Sequence, residues 1–162
     1  MSEPPPDPIA PSERAQRVDF YVLAEQDERA RLRLACRLAE KAYLAGQRVF
    51  VRVQDATELA GFDELLWSFA DRSFVPHEAY LDARQWQDSA VLLGCRDAPD
   101  ADYDVLLNLA EDAPAQPARA ARIIEIVDAD DARRLAGRAR FRTYRDRGLN
   151  PQTHHIAAGQ WP

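Results

Sequence analysis

Arg133, Arg134, Arg138, Arg140, Arg142, Arg145 and Arg147 crowd the stretch 133–147, where Asp146 is the one acid. A guanidinium stays charged and offers donors in a planar fork, so it suits carboxylates and phosphates. At about 100° per residue, Arg134, Arg138, Phe141, Arg142 and Arg145 fall within about a quarter of a helical wheel. A ring among cations on a solvent-facing stripe can receive an anion that carries an apolar group. Ala132, Leu135, Ala136, Ala139 and Thr143 lie away from this stripe and are expected to dock the helix. Two other readings of the same residues stand beside this one. The arginines can be a solvated face favoured by the helix C-terminal dipole. They can also be a nucleic-acid surface, since guanidinium and aromatic groups suit phosphates and bases.

The charge balance weighs against the nucleic-acid reading. The chain of 162 residues carries a net charge of −6, with a pI of about 5.1. Residues 54–112 hold 14 acids and three arginines. Such a molecule does not coat nucleic acid by bulk charge.

Other chemistries lack their residues. No two of Gly46, Gly61, Gly94, Gly137, Gly148 and Gly159 have the spacing of a GxGxxG or Walker A loop. There is no GxSxG elbow and no HExxH. Cys36 and Cys95 are too few and too far apart for a zinc site or a disulfide framework, and Cys36 falls on a helical apolar stripe as a packing residue. His154 and His155 read as part of a solvated tail, and His77, after Pro76, as a hydrogen-bonded loop histidine. Acid pairs such as Asp63–Glu64 and Asp130–Asp131 sit near helix starts, where the dipole favours them. No catalytic residue, cofactor or metal is expected.

The elements that must position the arginines alternate between strand and helix. Asp19–Leu23 is a strand of β-branched and aromatic types, and residues 29–45 form a helix with Leu32, Ala35, Cys36, Ala39, Ala42 and Tyr43 on one stripe. Gly46 caps it, and a second strand, 48–53, follows at once, a βαβ unit whose crossover forces parallel pairing. Asp55 or Thr57 caps a helix to Trp67 or Phe69. Residues 91–93, 105–109 and 123–127 read as strands, 78–90 as a loop, 111–120 as a loop or a weak turn of helix, and 130–147 as the last helix, stopped by Gly148. The result is a three-layer α/β/α domain with a largely parallel sheet of about five strands, Rossmann-like without a phosphate-binding loop. Residues 1–16, with five prolines, read as a disordered extension, 17–150 as the domain and 151–162 as a tail. No apolar run reaches the roughly 18 residues of a membrane span, and the acidic, proline-rich start is unlike a signal peptide, so a cytoplasmic protein with no membrane contact is expected.

Several stretches carry a resemblance. Phe20-Tyr21-Val22-Leu23, Gly46-Gln47-Arg48-Val49, Asp63-Glu64-Leu65-Leu66-Trp67, Ser73-Phe74-Val75-Pro76-His77, Tyr144-Arg145 and Gly148-Leu149-Asn150 stand in this order. In order and spacing, over about residues 18–153, the chain resembles the chi subunits of bacterial DNA polymerase III. The pair FDELLW…SFVPH and the closing YR-x-x-GLN are specific in combination. The chain departs from that pattern in three places. Phe141 stands where the family has tyrosine, residues 113–121 are rich in alanine and proline where the family has an aromatic-containing helix, and the N-terminal extension is additional.

The resemblance implies a non-catalytic accessory subunit of the clamp-loader assembly, in contact with DNA only indirectly. It implies two partners: the psi subunit, and the acidic, Phe-ended C-terminal tail of single-stranded DNA-binding protein. A terminal carboxylate needs a fork of donors and a terminal ring needs an apolar pocket. Carried over by motif, the pocket residues are Trp67, Phe74, Val127 and Phe141. The cations are Arg134, Arg138 and Arg142, with Arg138 on the carboxylate, all meeting at one end of the arginine helix. Direct binding of single-stranded DNA by that helix is the alternative.

Overall fold

The computed structural model describes residues 16–95, 99, 101–115 and 119–157. The proline-rich extension, apart from Gln16, lies outside the described residues, as do 116–118 of the expected loop and 158–162 of the expected tail. The elements run β1 (Arg17–Leu23), α1 (Glu28–Leu44), β2 (Val49–Arg52), α2 (Ala56–Ser68), β3 (Glu78–Ala79), a 3-10 turn (Ala83–Gln87), β4 (Val91–Gly94), β5 (Tyr103–Asn108), β6 (Ala120–Val127), α3 (Asp131–Asp146) and β7 (Gln152–Ile156). The strands form one open, all-parallel sheet in the order β3-β4-β2-β5-β6-β1-β7.

Alternation along the strands divides the core in two. Tyr21, Leu23, Val49, Val51, Ile124 and Ile126 face α1 and α2, where they pack on Leu34, Leu38, Phe62 and Leu66. Val18, Phe20, Phe50, Leu106, Ile123 and Val127 face the other way, toward Tyr144 of α3 and Trp86 of the 3-10 turn. These are the three expected layers. Cys36 is fully buried in the first core, where burial pushes its thiol up to about 12. It is packing, as its place on the stripe predicts.

Helix ends follow their local chemistry. Asp27, Asp55 and Asp130 each accept a bond from a backbone N–H of the first turn of α1, α2 and α3. Gly46 (φ 78°) and Gly148 (φ 83°) follow α1 and α3 in the left-handed region that ends helices.

The sheet has more strands than the sequence pattern foretells. β3 is too short to carry a pattern. β7 comes from the segment read as tail, and pairs parallel with β1 along its length, Asp19 with Gln152 through Leu23 with Ile156. His154, read as solvated, lies on the α1 face of the sheet. Its Nε2 is 2.7 Å from Asp19 Oδ1, and its ring stacks on Tyr21 at 5.0 Å. Asp19 is fully buried and also receives Arg122 Nε at 2.7 Å and Arg17 Nε at 2.9 Å. A buried carboxylate needs such donors, and no polar–apolar period announces where they come from.

Candidate binding pocket

The arginine helix does not dock as the wheel predicts. The residues of α3 buried against the sheet are Gly137, Arg140 and Tyr144, whereas Leu135 is 65% exposed and Ala132 and Ala139 face solvent. The cause is a carboxylate in the sheet. Glu125 of β6 is fully buried, with Arg140 Nε at 2.9 Å from Oε2, while Oε1 accepts from Tyr144 Oη at 2.6 Å and Asn108 Nδ2 at 2.9 Å. Burial and the adjacent Glu125 push the Tyr144 phenol well above its ordinary range, so it stays the donor. Arg140 also donates to the Glu111 carbonyl at 2.8 Å. Satisfying a buried anion outweighs burying one leucine and three alanines, because an unpaired buried charge costs several kcal/mol, roughly 3–5. Gly137 allows the close approach: a Cβ there would lie 2.9 Å from Val127 Cγ2.

This rotation sets Arg134, Arg138 and Phe141 on the flank of α3 beside β1 and β7. There they line a hollow of about 500 Å³. Its apolar side is Phe20, Val22, Val127 and Phe141, with the Phe20 and Phe141 rings 5.2 Å apart. Its far wall is Thr153, His155 and Ile156 of β7. No carboxylate lines it, and among the described residues neither Arg134 nor Arg138 has an ion-pair partner. Arg133, next in sequence, is bidentate on buried Asp128, with both contacts at 2.7 Å. An apolar hollow beside two uncommitted guanidinium groups can take a ring or aliphatic chain that bears an anion.

The predicted site residues therefore separate. Val127, Arg134, Arg138 and Phe141 share the hollow, and Arg142 is exposed on α3 outside its lining. Trp67 and Phe74 do not join them. They lie at the end of α2 and in the segment after it, on the α1 side of the sheet, with their rings 5.4 Å apart. Trp67 is 45% exposed and Phe74 70%. The His77 ring lies against Trp67, tilted by 35° with centroids 4.2 Å apart, with Nδ1 bonded to the Val75 carbonyl at 2.7 Å and Nε2 2.9 Å from Asp63 Oδ1. It is the hydrogen-bonded histidine its sequence context suggests, but buried. Phe20 and Val22 of the lining were legible only as strand residues. Thr153 and His155 stand in a segment whose pattern is that of a solvated tail, so nothing local marks them as lining.

This chain matches the family model for DNA polymerase III chi subunit, HolC, over residues 15–152. The chain belongs to the chi subunit family. It is 39% identical to the DNA polymerase III subunit chi of Pseudomonas aeruginosa over 140 residues, covering 86% of this chain and 96% of that one. It is 28% identical to the chi subunit of Haemophilus influenzae, over 88% of this chain and 99% of the relative. Against the chi subunit of Escherichia coli the identity is 23%, over 74% and 82%. Membership in the chi family gives the chain a replication role as an accessory subunit of the polymerase III holoenzyme. Among the described residues no helix is long and apolar enough to cross a membrane, and no cluster of His, Cys, Asp and Glu could hold a metal.

Proposed function

We propose that this chain is a non-catalytic, cytoplasmic adaptor of the replicative polymerase whose α3 hollow binds the acidic, Phe-ended tail of single-stranded DNA-binding protein. The observation that carries the reading is the pairing of apolar lining with uncommitted cations. Phe20, Val127 and Phe141 offer a terminal ring its contacts, and Arg134 and Arg138 stand beside them without carboxylates of their own. Arg138 takes the terminal carboxylate through charge-assisted bonds, and Arg134 and Arg142 supply diffuse attraction to the aspartates that precede it. The loss of a hydroxyl at Phe141 leaves the ring contact intact.

Trp67 and Phe74 then belong to a different contact. They sit on the opposite face of the sheet from the hollow, so they remain open while the hollow is filled. Exposed paired aromatics are typical protein-docking anchors. We assign them to the second partner, the psi subunit where the organism has one, which would tie the tail-binding hollow to the clamp loader. DNA is then contacted only through the partners.

Fluorescence anisotropy with a labelled acidic peptide ending in Phe tests the tail site. Binding is expected in the micromolar range and weaker as salt rises. Arg138→Ala is expected to weaken it at least about tenfold, the scale of a lost hydrogen bond between charged groups. Trp67→Ala is expected to leave it unchanged. Unaltered binding by the Arg138 variant, or competition by an oligonucleotide with a steep salt slope, would overturn the assignment.

A further inference from the structure

We infer that β7 supplies the second half of the grip, with His155 contacting the tail's carboxylates across the hollow from Arg138 and making the affinity pH-dependent. This rests on the tail-binding reading. The register places Thr153 beside Phe20 and His155 beside Val22, on the α3 side of the sheet. His154, between them, turns to the other face, where Asp19 and Tyr21 hold it. One histidine thus anchors the strand while the next borders the hollow. His155 is exposed, and among the described residues its imidazole has no hydrogen-bond or ion-pair partner.

The charged surroundings are simple. α3 contributes Arg134 and Arg138 to the hollow. β1 contributes Phe20, Val22 and Leu23, β6 contributes Val127, and β7 itself adds Thr153 and Ile156, none of them ionisable. With no carboxylate in the lining, the anion that would favour a protonated imidazole there is the ligand's own. By linkage, the protonated imidazole in turn favours the ligand. A tail lying across the hollow must touch both walls, and on the β7 wall histidine is the one side chain that changes charge between about pH 5 and 8. Aspartates and a terminal carboxylate stay ionised over that range.

The test is anisotropy of the full chain with the same labelled peptide at about pH 6 and about pH 8. The unsubstituted chain should bind about two- to fivefold tighter at the lower pH, the scale of one exposed charge pair. His155→Gln should lose that gain, and His155→Arg should bind at both pH values with the tighter affinity. A pH-independent affinity of the unsubstituted chain, or a pH gain retained in His155→Gln, overturns the inference. If Arg138→Ala abolishes binding while His155→Gln keeps the full pH response, the tail site stands and only the role of His155 falls. If the peptide does not bind the unsubstituted chain at all, both fall.

Discussion

Arg140 and Arg138 sit less than one turn apart on α3 and have opposite fates. Arg140 is buried on Glu125, inside a network with Asn108 and Tyr144. Arg52 extends that network, with Nη1 on Asn108 Oδ1 at 3.1 Å and Nη2 on Asp112 Oδ1 at 2.8 Å. Asn108 and Arg52 end β5 and β2, at the carboxyl edge of the sheet where doubly wound folds commonly hold a nucleotide. Here the chain's own polar side chains fill part of that edge. Arg138, by contrast, borders an apolar hollow and has no ion-pair partner among the described residues. The number of arginines on a helix thus says little about their work. What decides is whether the sheet beneath offers a carboxylate, so one region spends its charges on the fold and the other keeps them for a ligand.

Four substitutions or conditions would break or sharpen that contrast. Arg140→Ala leaves Glu125 buried without its cation and should destabilise the fold by about 3–5 kcal/mol in urea denaturation. A loss below about 1 kcal/mol would mean that the network is ornamental. Tyr144→Phe removes one donor from the same carboxylate and should cost about 1–3 kcal/mol, with Arg140 still in place. Acid sensitivity should be smaller. Burial alone raises the Asp19 carboxyl, but hydrogen bonds from His154 and Arg122 outweigh it and hold it below the ordinary range. A depressed carboxylate contributes stability above its unfolded value, near 4, that disappears as pH falls through the folded value. Asp19→Asn should therefore flatten the fall in urea midpoint below about pH 4. The smallest effect belongs to Arg138→Ala, which should stay within about 0.5 kcal/mol of the parent in stability while losing the peptide. A large stability loss there would erase the difference between the two arginines.

Much of the architecture could be read along the chain. Hydrophobic strands of continuous apolar type, the α1 stripe through Leu32, Ala35 and Ala39, and the Asp55 cap of α2 are local signals, and each is found close to its expected place. β7 was illegible for a physical reason. An edge strand covered on one side needs no apolar alternation, and Gln152-Thr153-His154-His155 has none. The buried face of α3 is hidden in the sequence for a related one. A hydropathy wheel treats arginine and tyrosine as outward, but a buried glutamate in the sheet directly beneath reverses their preference. Motif alone puts Trp67 and Phe74 with the arginines, and the sheet stands between them.

The sequence by itself determined the layer architecture, the absence of phosphate-loop motifs and the kinship with chi subunits. These rest on short-range spacing and residue type, which the chain carries in linear order. Only the tertiary structure decided which arginines are free, which residues face them, and that a histidine from the last strand borders the same hollow. Those outcomes depend on pairing between positions such as 125 and 140, or 22 and 155, whose proximity no local pattern encodes.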